Sequence, residues 1–80
     1  MTESQFQANW HKKAIKKGWL PLKIIQSNLN GWPDTAFLKD GKVFFIEFKS
    51  KNGRLSELQK YRIEQIRKLK FHCFIFKSKI

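Results

Sequence analysis

Residues 34–49 read DTAFLKDGKVFFIEFK, two runs of β-forming residues joined at Asp40 and Gly41. An Asp-Gly pair between apolar runs is a strong hairpin signal, because the two-residue turn it favours needs positive φ at both central positions. With those two residues in the loop, Lys39 stands opposite Lys42, and five steps outward Asp34 stands opposite Glu47. That step is a non-hydrogen-bonded pair, where Cα atoms approach to about 4.5 Å. Two carboxylates are pressed together, which is destabilising unless they share a proton or hold a cation between them. Lys49, two residues beyond Glu47, lies on the same face, while Phe44, Ile46 and Phe48 point to the opposite packing layer.

Outward from the hairpin, the start TESQ matches a capping box with Thr2 as N-cap, predicting a helix to about Lys17 that stops at Gly18. Glu3 lies seven residues before Trp10, so the two share a face directed at the domain body. Residues 19–25, WLPLKII, read as a strand whose Pro21 calls for an edge position. SNLNGWP, residues 27–33, is a loop by composition. Beyond the hairpin, residues 55–69 have helical periodicity with a second capping box from Ser56 to Gln59, and FHCFIFK reads as a last strand. A right-handed crossover would set that strand parallel to the third. The expected order is therefore αβββαβ, an α/β fold with a small mixed sheet and flanking helices, forming one domain over residues 1–80.

Along the second helix Leu55, Leu58, Ile66 and Leu69 form one stripe, with Gln59 and Arg62 inside it. Gln59 has two readings, the return bond of the capping box or a part in the carboxylate site. Arg62 likewise could reach a phosphate or a partner subunit, or could snorkel along the sheet.

A chain of 80 residues builds a marginal core, so oligomerisation is plausible. The 17 Lys+Arg against 6 Asp+Glu, for a net charge of +11, favour a polyanionic partner, nucleic acid first. Spread basic residues, with no long apolar segment and no lipidation signal, argue against a membrane. The single Cys73 cannot form an internal disulfide and the polar start has no signal-peptide character, which points to a reducing cytoplasm. Cys73 reads as core filling, and His11 and His72 are too far apart in sequence for a local metal motif.

A carboxylate dyad suits Mg²⁺ or Mn²⁺, hard cations that accept one or two carboxylates plus water and phosphate oxygens. Lys49 beside it could orient a water or stabilise developing charge. This chemistry fits hydrolysis of a nucleic-acid backbone; the alternative is a non-catalytic basic module that binds nucleic acid.

The segments GWPD and FFIEFKSKNGRLSELQ closely resemble the virus-type replication-repair nuclease (VRR-NUC) domain of the PD-(D/E)XK nuclease superfamily. The resemblance covers nearly the whole chain and rests on G-x-P-D, apolar-E-x-K and L-S-x-x-Q taken as a set. It implies that Asp34, Glu47 and the backbone carbonyl of Phe48 bind the metal and that Lys49 is the catalytic lysine. It further implies that Gln59 stands beside the site and that Glu3 completes the acidic cluster. Small stand-alone members, often phage-encoded, resemble homodimeric Mg²⁺-dependent endonucleases that cut four-way (Holliday) DNA junctions. Two positions depart from the pattern: Lys70 stands where the family usually has glycine, and Arg62 replaces a commonly apolar residue.

Overall fold

The computed structural model describes residues 2–79. The element order is α1 (Glu3–Lys16), β1 (Leu20–Lys23), β2 (Thr35–Lys39), β3 (Lys42–Lys49), α2 (Glu57–Lys68) and β4 (His72–Lys77), the αβββαβ order expected from the sequence. The strands form one mixed sheet in the order β1-β2-β3-β4. β1 pairs antiparallel with β2, β2 antiparallel with β3, and β3 parallel with β4. Pro21 lies on the edge strand β1, where a missing ladder N–H costs least. β1 is shorter than the expected residues 19–25. None of the helices is long and apolar enough to cross a membrane among the described residues.

The hairpin turn is the one anticipated, with Asp40 at φ 50 and Gly41 at φ 74, both left-handed as a type I′ turn requires. Lys39 pairs with Lys42, and the ladder runs outward to Thr35 opposite Ile46.

Both helices begin with complete capping boxes. Thr2 and Gln5 exchange side-chain and backbone bonds at α1, and Ser56 and Gln59 do so at α2. Both also end in Schellman motifs. After α1, Trp19 N–H reaches Ala14 O and Gly18 N–H reaches Ile15 O; after α2, Phe71 N–H reaches Ile66 O and Lys70 N–H reaches Arg67 O. Gly18 adopts the left-handed conformation at φ 89 without strain, whereas Lys70 adopts it at φ 72 with a side chain attached.

The sheet divides two apolar layers. Beneath α1, Ala14, Phe37, Ile46 and Phe48 are buried, with Phe6, Trp10, Trp19, Phe44 and Phe76 packed around them. Beneath α2, Ile63, Ile66 and Cys73 are buried against Trp32, Phe45 and Leu55. Cys73 is core filling, as expected, and burial pushes its thiol up to about 11. The stripe expected on α2 is corrected in part. Ile66 is buried, but Leu58 and Leu69 are exposed, and Ile63 takes the inner position. Leu69 is the C-cap rather than an inward helical residue, and Leu58 lies against Gly31.

Candidate functional site

The site forms where the β2–β3 ladder stops. In the hairpin register the next hydrogen-bonded position opposite Phe48 is Pro33, which has no N–H to offer the Phe48 carbonyl. The Phe48 N–H is taken instead by the Asp34 side chain, whose Oδ2 accepts it at 2.9 Å. Asp34 is thereby fixed at the mouth of the strand pair, its backbone carbonyl accepting from Ile24 N–H at 2.7 Å.

Glu47 lies beside it on the α2 side of β3, only 1 % exposed. Its Oε2 meets Lys49 Nζ at 3.5 Å and accepts from Gln59 Nε2 at 3.5 Å. Its Oε1 is buried and has no hydrogen-bond partner among the described residues. Burial first, and then the Asp34 carboxylate, push the Glu47 carboxyl up to about 8, against the opposing pull of the Lys49 ammonium. Without a cation the dyad therefore holds a proton near neutral pH, one of the two resolutions that like-charge contact demands.

Gln59 has both of the roles the sequence left open. Its Oε1 accepts from Ser56 N–H at 2.9 Å, closing the capping box, while its Nε2 faces Glu47. The same bond that starts α2 thus aims an amide donor into the site. Lys49 is largely buried, its side chain 14 % exposed, so its ammonium is held at the dyad rather than released to solvent.

Asp34, Glu47, Lys49, Gln59 and the Phe48 backbone are thus brought together. Glu3 is not joined to them: among the described residues no hydrogen bond or ion pair links it to any of the four side chains. Nor, among the described residues, do three or more acidic, histidine or cysteine residues cluster there. Glu3 starts α1, and its helix packs on the opposite face of the sheet, through Phe6 and Trp10 against Phe48. Arg62 bonds within the chain. Its Nε donates to Asn30 O at 2.9 Å and its Nη1 to Gln65 Oε1 at 3.1 Å, pinning the loop that leads to Pro33.

The sequence reading passed over Gln7. It is buried, 8 % exposed, with an Oε1 that has no partner among the described residues. The seven-residue spacing to buried Ala14 carried that signal. His11, in contrast, is paired, its Nε2 lying 3.1 Å from Thr35 Oγ1. Burial and the neighbouring Lys23 hold its imidazole below the usual histidine range.

The residues present fit a hard divalent cation. Asp34 and Glu47 supply carboxylate oxygens, the Glu47 Oε1 is a buried acceptor awaiting a partner, and β2 offers the Phe48 carbonyl no donor. No protein-family model matches the chain, and no curated protein matches it.

Proposed function

We propose that this chain is a divalent-metal-dependent DNA endonuclease with a PD-(D/E)XK core of the virus-type replication-repair kind. The observation that carries the reading is the unpartnered, buried Glu47 Oε1 beside Asp34, at the strand end where Pro33 withholds its N–H from the Phe48 carbonyl. Such an oxygen set is costly in an idle core and useful around Mg²⁺ or Mn²⁺.

Asp34, Glu47 and the Phe48 carbonyl would hold the cation. When bound there it would polarise a phosphodiester and lower the pKa of a coordinated water. Lys49 contributes a fixed positive charge next to the dyad, able to orient the attacking water and to stabilise charge developing on the phosphate oxygens. Gln59 holds the Glu47 carboxylate from the helix side and keeps its other oxygen turned inward. The net charge of +11 draws the polyanionic substrate to the surface.

The likeness to small stand-alone members extends the proposal to a homodimer acting on four-way junctions. An uncovered apolar area supports the dimer: Leu20, Leu22 and Leu38 share the sheet face away from α1 and are 65 %, 56 % and 39 % exposed. A second copy packing there would enlarge the small core and carry two sites on one particle.

The test is cleavage of a labelled four-way junction, a flap and a linear duplex, each with Mg²⁺ and with chelator. Metal-dependent cutting of the branched substrates, abolished in Glu47→Ala with DNA binding retained, is expected. Equal activity in that variant would sink the proposal, and binding without cutting on every substrate would leave a non-catalytic nucleic-acid-binding module.

A further inference from the structure

On the α1 side of β4 three rings stand in a row. His72 and Phe74 are parallel to within 5° with centroids 6.2 Å apart, and Phe74 and Phe76 to within 19° at 6.0 Å. Trp10 lies over Phe76 at 4.6 Å and 30°. Phe74, in the middle of the row, is 42 % exposed. The row is flanked by two open grooves. One of about 440 Å³ has Trp10 and Phe76 in its wall and Lys13, Lys77 and Lys79 at its rim. The other, about 600 Å³, is bordered by Phe74 and Lys42. Among the described residues no carboxylate lines either groove.

We infer that this aromatic row is a platform for an unpaired nucleic-acid strand, whose bases lie on His72 and Phe74, beyond the Phe76 ring that Trp10 covers, while its phosphates meet the flanking lysines. The inference deepens the nuclease reading and rests on it for the purpose of the track: Lys77 at its end pairs directly with Lys49 across β3–β4. The dyad lies on the α2 side of the sheet, so a strand leaving the platform would have to round the β4 edge at Lys77 to reach it.

Three observations select this occupant. Bases stacked in a duplex repeat every ~3.4 Å along a strand, so rings 6 Å apart suit bases separated in an extended single strand. The charged side chains lining the grooves are lysines, so a second copy docked isologously on this face would set like charges against one another. Strand addition by a protein partner is also opposed. Ser78 N–H bonds to Lys49 O, so even-numbered backbone groups of β4 point inward and odd-numbered ones outward. The outward Cys73 carbonyl is already taken by Arg67 Nε at 3.0 Å and Nη2 at 2.7 Å.

The test is a binding measurement in chelator, by fluorescence anisotropy, with a short oligothymidylate, the same oligomer carrying abasic positions, and a duplex of equal length. Loss of a base–aromatic stack weakens binding by about fivefold or more per base, so the abasic oligomer should bind more weakly by at least that factor. Phe74→Ala should remove the discrimination while leaving duplex binding unchanged, and Phe74→Trp should restore it. Equal affinity for intact and abasic strands overturns the inference. So does a Phe74→Ala variant that dissociates a wild-type dimer with single-strand affinity unchanged, which would make the face a self-association surface. Cleavage of branched DNA in Mg²⁺ is measured on the same preparations. Base discrimination without cleavage supports the platform and refutes the nuclease; cleavage without base discrimination refutes the platform alone.

Discussion

Replacing Glu47 by glutamine should remove the loss of stability that the metal-free wild type shows as pH rises from 5 to 9. The Glu47 carboxyl is raised from 4.5 to about 8, so the folded chain holds a proton that the unfolded chain releases. Stability from this group is complete below the unfolded value and is lost as pH rises through the folded one. Between pH 5 and pH 9 the linkage reaches a ceiling of about 4 kcal/mol. A chain of 80 residues has about 4–12 kcal/mol in total, so the loss is a large share of it. At about 4–8 °C per kcal/mol, the Tm of wild type in chelator should fall by more than about 10 °C across that interval. His11 acts in the opposite sense, since its lowered value makes stability rise with pH through the histidine range, but it is retained in the variant and cancels in the comparison. The assay is thermal unfolding by circular dichroism at pH 5, 7 and 9, with chelator. Glu47→Gln keeps the shape and cannot ionise, so its curve should be flatter and should lie above wild type by a margin that grows from pH 5 to pH 8. Parallel curves for the two proteins would refute the account of a protonated, buried dyad.

Other perturbations test separate links. At pH 8, millimolar Mg²⁺ should raise the wild-type Tm, with about 2.7 kcal/mol gained at a hundredfold excess over Kd, and Asp34→Asn should blunt that rise; an undiminished response would remove Asp34 from the ligand set. Lys70→Gly should stabilise by about 0.5–1 kcal/mol in urea unfolding, because relief of a left-handed side chain worth about 1–2 kcal/mol exceeds the entropic cost of glycine. Arg62→Ala should speed amide exchange in residues 27–33 by releasing the Asn30 carbonyl, with exchange elsewhere on α2 unaltered. Pro33→Ala restores an N–H opposite Phe48, and the Mg²⁺-induced rise in Tm should shrink as that donor competes for the carbonyl; an unchanged rise would separate the carbonyl from metal binding.

Most of the fold was legible because local signals agreed with one another. Asp40 and Gly41 name their turn, the two capping boxes name the helix starts, and Gly18 names a helix end. The failures lie where tertiary packing overrides periodicity. Leu58 and Leu69 fall on the apolar stripe by angle, yet Leu58 meets the Gly31 backbone and Leu69 caps the helix, leaving Ile63 and Ile66 to face Cys73. Arg62 on that stripe left a phosphate, a partner subunit or snorkelling open, whereas the bond its Nε makes within the chain is to the carbonyl of a residue 32 positions away in a loop without periodicity. No sequence rule reaches such a contact.

The site shows the same division more sharply. A two-residue turn propagates register through the strand pair, so Asp34, Glu47 and Lys49 could be placed together by counting alone. Counting gives the meeting but not the termination. In a continuing ladder the Phe48 carbonyl would be consumed by its neighbour, Asp34 would have no N–H to accept, and the two carboxylates would simply repel. Proline at position 33 ends the ladder one pair before that happens, and the Asp34 side chain replaces the lost backbone acceptor. Gln59 then reaches Glu47 with the amide nitrogen its capping bond leaves over. The destabilising charge pair is thus maintained by bonds that each have a local structural purpose: a strand end, a helix start and a loop held by Arg62. That dependence explains why Glu47 can be kept buried with one oxygen unpartnered, and why removing any one support should register first in the response to metal rather than in the fold.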